Sequence, residues 1–518
     1  MKSRISILIK NTLANASGTI LQPILHIILV PFYIHYLGLE GYGLVGFFSA
    51  LSIMLSVFTR GLSASIQREF AIRIGTDHMR PSIRRFHFTM EMFYHTIGIT
   101  LGIMLLSTSG LIASRWLKLE TIPFEATRWC AIIISLRIAL VFPCSVYTSA
   151  LYGLQRHVLM NIITIGYTSL SAGGGVIAVL LTRSVVAYYV SDLIAVIIYI
   201  LALRYYADKV LPPKQKSFPT RFDLNEIKAI WRIAGGLIWT YGINIITRQA
   251  DRIIISYLLP LAMLGVYNAG VAGTQLLNLS YLPFLIAVYP QTCQLAMGKN
   301  GKEFAAHMFR NSKVILIISL SCGLPISFFA PEILQVWTHN KVIVQEGSVV
   351  MALYMYGSIA FALADTLHRG QVALGITRYG VRFNSFLLLW YPVLMWILIK
   401  RYGLVGGAAA WVVNCVAYWI YQILVHHTAV AKPNAKLIEY IKAILAFGAV
   451  GFTVTYVSRY MANLWFLQHI WLRLTFAVLA AGIIFIIGVL VGFGLHVAKE
   501  IFFNLTKLVY SSRGNLEQ

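Results

Sequence analysis

Five arginines lie within sequence segments that are otherwise apolar enough to cross a membrane. They are Arg60, Arg137, Arg248, Arg252 and Arg369. An arginine at the centre of a spanning helix costs about 2.5 to 3.5 kcal/mol even on a lenient insertion scale, so five lipid-facing guanidinium groups would be prohibitive. A guanidinium group also binds phosphate oxygens in bidentate fashion and stays charged at physiological pH. We therefore expect these side chains to face water or an anionic ligand.

Two of these arginines share a helix face with an acid. Arg248, Asp251 and Arg252 lie at positions i, i+3 and i+4, where side chains on a helix are neighbours. A pair between Arg248 and Asp251 would leave Arg252 as the net positive charge. The alternative interpretation is a structural ion pair, with Arg252 extending towards the membrane surface.

A second acid and arginine are spaced in the same way, Asp365 and Arg369, with His368 beside them. This pair is either structural or a switch that opens when a phosphate competes for Arg369. By contrast, Arg60 and Arg137 have no acidic residue within one turn on their own helices, so we expect both to contact an anionic ligand. Four residues could bind a coupling proton or sodium ion or act as a switch: Asp251, Asp365, Asp192 and His368.

The composition is that of a polytopic membrane protein. Hydrophobic residues make up 58% of the 518 residues and charged residues only 12%, and the mean hydropathy is +0.74. The formal net charge of +24 indicates basic cytoplasmic loops and contact with anionic lipids in such a protein. We therefore expect no nucleic-acid partner.

No motif in the sequence predicts a catalytic site, a metal site or a bound cofactor. The five cysteines form no CxxC pair, and most lie in or beside apolar segments, as small core residues do. No GxxxxGK[ST] loop is present, which argues against ATP hydrolysis by this chain. Coupling to a proton, to sodium or to the membrane potential stays open.

The apolar blocks predict an all-α membrane protein of about fourteen transmembrane helices. The predicted ranges are 11–36, 42–66, 88–113, 129–153, 158–182, 185–207, 231–258, 262–291, 314–338, 347–375, 382–400, 404–428, 437–458 and 472–497. With the N-terminus inside, about 25 Lys and Arg residues fall in inner segments and about 8 in outer loops. This bias predicts that both termini are cytoplasmic.

An offset of about 222 residues aligns the two halves of the chain as an internal repeat. Gly43 falls on Gly265, and Gly153 falls on Gly375. Six helices per repeat give two bundles related by a pseudo-two-fold axis along the membrane normal. The predicted domains are a bundle over 1–207, a cytoplasmic linker over 208–230, a second bundle over 231–428, and two additional helices with a cytoplasmic tail over 429–518.

The sequence resembles the Wzx-type polysaccharide flippases of the multidrug/oligosaccharidyl-lipid/polysaccharide superfamily. The resemblance rests on the stretch from Pro31 to Gly43, on Arg60-Gly61, on Gln67 to Ala71, and in the second half on Asp251-Arg252 and Leu264 to Tyr267. It covers nearly the whole chain.

The resemblance implies a transporter of the bacterial plasma (inner) membrane with a central cationic cavity. Its substrate would be an undecaprenyl-diphosphate-linked oligosaccharide, such as an O-antigen or other polysaccharide repeat unit, moved from the inner to the outer leaflet by alternating access. Membrane lipids, a polysaccharide polymerase and chain-length proteins would be its partners. Two alternatives stay open: a cation-coupled drug antiporter of the same superfamily, and a membrane-bound polymerase or ligase.

Overall fold

The computed structural model describes residues 2–76, 82–213, 220–298, 301–426, 428, 437–465 and 469–514. Within these ranges the chain is helical, and its β-type pairing is limited to an isolated bridge between Lys118 and Pro260. The all-α class is confirmed. Part of the predicted linker, including Lys214 and Lys216, lies outside the described residues.

The described residues up to 213 form six α-helices. They are α1 (Lys2–Leu55), α2 (Val57–Gly75), α3 (Ile83–Leu111), α4 (Phe124–Gly153), α5 (His157–Thr182) and α6 (Val185–Val210). A turn of π-helix, Ile112–Trp116, extends α3. Gly38 interrupts α1 with φ 73°, a value that glycine adopts without a steric cost. Ser184 caps α6 by accepting a hydrogen bond from the backbone N–H of Ala187.

Nine helices follow among the described residues from 220 onwards. They are α7 (Leu224–Leu258), α8 (Leu261–Gly273), α9 (Gln275–Met297), α10 (Gly301–Phe328), α11 (Ala330–Thr338), α12 (Ser348–Ala373), α13 (Arg378–Val425), α14 (Leu437–Trp465) and α15 (Ile470–Gly514). Asp223 caps α7 through the backbone N–H of Asn225 at 2.9 Å, as expected of an acidic N-cap. Gly403, with φ 58°, divides α13 where the sequence predicts two helices.

Eleven helical ranges among the described residues are long and apolar enough to cross a membrane. One of them, Arg378–Val425, is 48 residues long and contains the break at Gly403, so it can supply two crossings. α7 is not among the eleven, and its sequence includes three arginines and two acids in 35 residues. The predicted number of fourteen is therefore approximate, but the polytopic architecture is confirmed.

Left-handed residues support the internal repeat. The turn after α4 contains Gln155 (φ 58°) and the turn after α12 contains Gly375 (φ 74°). The next turns contain Arg183 (φ 52°) and Gly403 (φ 58°). Gln155 and Gly375 are as far apart along the chain as Arg183 and Gly403 are. This separation is two residues shorter than the predicted offset of about 222. A positive φ therefore recurs at corresponding turns of the two halves, although ψ differs between Arg183 (29°) and Gly403 (−135°).

The described chain forms two compact units. Unit 1 comprises Met1–Ala272 with Asn384–Gly403, and unit 2 comprises Gly273–Phe383 with Leu404–Gln518. Unit 1 thus includes α7, α8 and part of α13, which the sequence assigns to the second six-helix bundle. The predicted division at 208–230 stays a prediction.

Each unit has its own apolar core. In unit 1, Tyr147, Leu151 and Leu203 join α4 to α6. In unit 2, side chains of α9, α10 and α12 pack with Phe447 of α14 and Ile484 of α15. The two C-terminal helices are therefore integral to the core of unit 2.

Candidate functional site

Arg137 of α4 is held by a carboxylate from another helix. Its Nε donates to Asp192 Oδ2 of α6 at 2.5 Å, and its NH2 donates to the hydroxyl of Tyr167 on α5 at 3.4 Å. Ser171 donates to the other oxygen of Asp192 at 2.7 Å. The side chains of Arg137 and Asp192 are 20% and 11% exposed. Both side chains are therefore largely buried and pair with each other.

This ion pair lies at the wall of a cavity of ≈ 480 Å³ in unit 1. The polar lining includes His26, Tyr33, Ser49, Ser52, Arg137, Tyr167, Thr168, Ser171, Tyr188 and Asp192. Tyr33 and Tyr188 meet edge to face with ring centroids 5.3 Å apart. The cavity thus combines aromatic rings and hydroxyl groups around an internally neutralised charge.

The sequence places Arg137 and Asp192 in membrane helices but does not pair them. They are 55 residues apart, on helices that meet only in the folded bundle. The tyrosines of the cavity were also missed as site residues. Their sequence signal is that they lie on the same helices, α1, α5 and α6, as other polar residues of the site.

On α7, Asp251 is buried and pairs with Arg252 at 3.3 Å. Asp251 also accepts the hydroxyl of Tyr267 at 2.8 Å, and Arg252 Nε donates to Asn268 Oδ1 at 3.0 Å. Arg252 therefore contacts Asp251 as well, and the predicted pair between Arg248 and Asp251 stays a prediction. α8 adds Tyr267 and Asn268 to the face that α7 presents, which the helix spacing alone does not show.

The remaining arginines differ in exposure. Arg248 and Arg60 are exposed in unit 1. In unit 2, Arg369 donates to Asp365 at 2.9 Å, so the predicted pair at i and i+4 is confirmed. The side chains of Arg369 and Asp365 are 30% and 18% exposed, respectively. His368 lies beside this pair, and its Nδ1 is buried without a hydrogen-bond partner in the described structure.

The five arginines are therefore divided between the units, with four in unit 1 and Arg369 in unit 2. A common substrate cavity for all five stays a prediction. Across the described residues, no group of three or more His, Cys, Asp or Glu side chains is arranged to hold a metal ion.

Glycines bring α1 and α8 into backbone contact beside the α7 residues. A Cβ at Gly43 would overlap the carbonyl oxygen of Leu261, and a Cβ at Gly265 would overlap that of Leu39. Each of these Cβ positions also lies within 3.2 Å of the other glycine's backbone nitrogen. Gly43 and Gly265 are equivalent in the internal repeat, so the two halves of the sequence meet here at matching positions.

A further charged network, missed by the sequence analysis, anchors the start of α7. Arg73 of α2 donates to Glu226 at 2.6 Å and to Glu69 at 2.9 Å, and Arg85 of α3 lies 3.2 Å from Glu226. Burial alone would lower the pKa of Arg73, but the hydrogen bonds and charges of Glu226 and Glu69 outweigh it and raise the pKa. This network fixes the end of the linker to the first helices.

Comparison with known proteins identifies the family. The sequence matches the family described as polysaccharide biosynthesis protein over residues 8–295, more than half of the chain. The chain belongs to this family. A putative O-antigen transporter from Shigella flexneri is 22% identical to this chain over 421 residues. The match covers 80% of this chain and 97% of the transporter.

Solved structures share the fold of this family member. The lipid II flippase MurJ, in an inward closed conformation, matches with a TM-score of 0.72 and 15% identity, over 94% of this chain and 99% of MurJ. An inward-facing multidrug resistance MATE family transporter of the MOP superfamily matches with a TM-score of 0.65 and 14% identity, over 81% of this chain and 96% of that transporter. At these identities the likeness shows the fold, which this chain shares with MurJ and with that MATE transporter.

Proposed function

We propose that this polysaccharide biosynthesis family member is a flippase, a transporter and not an enzyme. It moves an oligosaccharide linked to undecaprenyl diphosphate from the inner to the outer leaflet of the bacterial inner membrane. The observation that carries this proposal is the Arg137–Asp192 pair at the wall of a cavity inside a membrane bundle. The names of the O-antigen transporter and of the lipid II flippase support a transport role.

The pair gives a guanidinium group that is charged before a substrate arrives. A diphosphate cannot enter hydrocarbon without groups that replace its water. Its oxygens would compete with Asp192 for Arg137, while Ser171 continues to donate to the released carboxylate. Since the cell interior is negative, the membrane potential favours outward movement of an anion by about 2.3 kcal/mol per charge per 100 mV.

The same cavity suits the sugar part of the substrate. Tyr33, Tyr167 and Tyr188 offer aromatic rings, and Ser49 and Ser52 offer hydroxyl groups. Sugars bind through this combination of hydrogen bonds and apolar ring faces, as small-molecule sites generally do. Arg252, Arg248, Arg60 and Arg369 are the further candidates for contact with the diphosphate, and Asp251, Asp365 and His368 are candidates for switching.

The proposal is tested with proteoliposomes that contain a fluorescent undecaprenyl-diphosphate oligosaccharide. The initial rate of its appearance in the opposite leaflet is measured with a membrane-impermeant quencher. Arg137→Ala should slow this rate at least tenfold, and Arg137→Lys should retain more of it than Ala because the charge is kept. Arg128→Ala is the matched control, since Arg128 is half exposed and pairs loosely with Glu125 at 3.9 Å.

Two results would contradict the proposal. One is wild-type flipping by Arg137→Ala at equal protein levels. The other is a wild-type protein that moves a cationic drug against a proton gradient and leaves the lipid-linked glycan in place. The second result would favour the drug antiporter.

A further inference from the structure

A second and larger cavity, of ≈ 930 Å³, lies between the start of α3 and the end of α6 in unit 1. Its charged lining is Arg84, His87 and Glu91 from α3 with Arg204, Asp208 and Lys209 from α6. In the predicted topology both helix ends lie at the cytoplasmic surface. The proposed transport mechanism does not use this cavity.

Three basic side chains line this cavity, and the contacts of Arg84, the first of them, are all made within the protein. Arg84 pairs with the Asp208 carboxylate. It also donates to the backbone oxygens of Pro212 at 2.6 Å, Asp208 at 2.9 Å and Leu211 at 3.2 Å. Arg84 therefore closes the C-terminal end of α6 and is not available to a ligand.

The other two cations are loosely held. The Arg204 side chain is 67% exposed and lies 3.8 Å from Glu91, beyond hydrogen-bond distance. The ammonium group of Lys209 lies 5.9 Å from the ring centroid of Tyr205. Glu91 is itself engaged, since it accepts the Tyr147 hydroxyl at 2.5 Å. Both cations can therefore turn towards an anion in the cavity at little cost.

A buried histidine adds an unused polar atom. His87 is 8% exposed and lines the cavity. Its Nδ1 lies 3.8 Å from Glu91, and its Nε2 is buried without a hydrogen-bond partner in the described structure. An unpartnered buried nitrogen is costly unless a ligand or water satisfies it.

Exposed apolar side chains of α6 continue from the rim of the cavity. Leu201 and Tyr205 are each 61% exposed. Ile198, one turn before Leu201 on α6, is 49% exposed. A charged pocket continuous with an exposed apolar helix face suits an amphiphile. Basic pockets between membrane helices on the cytoplasmic side are typical sites for anionic lipid headgroups.

We propose that this cavity binds one anionic phospholipid of the inner leaflet, with its phosphate on Arg204 and Lys209 above His87 and its acyl chains along α6. With His87 neutral, the three cations and two carboxylates leave one positive charge, which matches a single phosphodiester. The headgroup would secure the end of α6 to the membrane surface.

Native mass spectrometry of the purified protein, titrated with phosphatidylglycerol, tests this proposal without a transport assay. Each basic residue at an anionic headgroup contributes about a fivefold gain in affinity. The double variant Arg204→Ala/Lys209→Ala should therefore bind the first phosphatidylglycerol about 30-fold more weakly. Both side chains are exposed, so the folded protein should be retained, and its unfolding temperature is measured in parallel.

The control variant is Arg378→Ala/Lys442→Ala. Both residues are exposed near the predicted cytoplasmic surface, and Arg378 lies over a tyrosine ring as Lys209 does. This variant should bind the first phosphatidylglycerol as the wild type does. If both double variants bound the first phosphatidylglycerol equally weakly, the lipid would be attracted by basic residues in general. That result would overturn the proposal. So would unchanged binding in Arg204→Ala/Lys209→Ala, or displacement of the bound lipid by soluble glycerol phosphate at equal concentration.

Discussion

At the scale of single residues, three of the five membrane arginines are paired with an acid before any ligand binds. Asp192 holds Arg137, Asp251 holds Arg252, and Asp365 holds Arg369. A buried ion pair adds little net stability, but removal of one partner leaves an uncompensated charge. The paired acids therefore keep the arginines charged in an apolar setting while leaving them able to exchange partners.

The Arg137–Asp192 pair gives the first prediction. Asp192→Ala should destabilise unit 1 by about 3–5 kcal/mol because Arg137 stays buried and uncompensated. Arg137→Met/Asp192→Leu removes both charges and should recover most of this loss. Thermal unfolding of the wild type, Arg137→Met, Asp192→Leu and the double variant in one detergent gives the coupling energy. Additive losses would show that the two side chains do not form a pair.

At the scale of helices, glycines and charges fix which elements move together. Gly43 and Gly265 allow α1 and α8 to touch along their backbones, while Glu226 ties the start of α7 to α2 and α3. These contacts explain why α7 and α8 belong to unit 1, although the repeat assigns them to the second half. Such contacts join residues far apart in sequence, so helical periodicity does not show them.

The glycine contact gives a prediction at this scale. Gly43→Ala or Gly265→Ala should lower stability by about 1–3 kcal/mol, because the new Cβ would enter a space filled by a carbonyl oxygen. Gly166→Ala on α5 is the control, since no atom lies within 4 Å of its Cβ position and alanine is favoured over glycine in a helix by about 0.5–1 kcal/mol. Fluorescence-detected size exclusion after heating compares the three. A loss as large at Gly166 as at Gly43 would contradict the close-contact explanation.

At the scale of the whole molecule, the sequence predicts the elements better than their grouping. Apolar runs between charges and turns locate the helices, since a membrane helix must satisfy its backbone internally. Local spacing also predicts the Asp365–Arg369 pair. The Arg137–Asp192 pair, the Tyr267–Asp251 contact and the membership of α7 in unit 1 depend on tertiary packing, and no pattern along one helix reports it.

Both proposals depend on the predicted orientation of the chain in the membrane. Excess Lys and Arg in one set of loops, about 25 against about 8, should retain those loops in the cytoplasm. Green fluorescent protein fused after Gln518 should therefore fluoresce. Around α6, alkaline phosphatase fused after Arg183 should be active, and the same enzyme fused after Pro213 should be inactive. The reverse pattern would place the cavity between α3 and α6 at the outer leaflet.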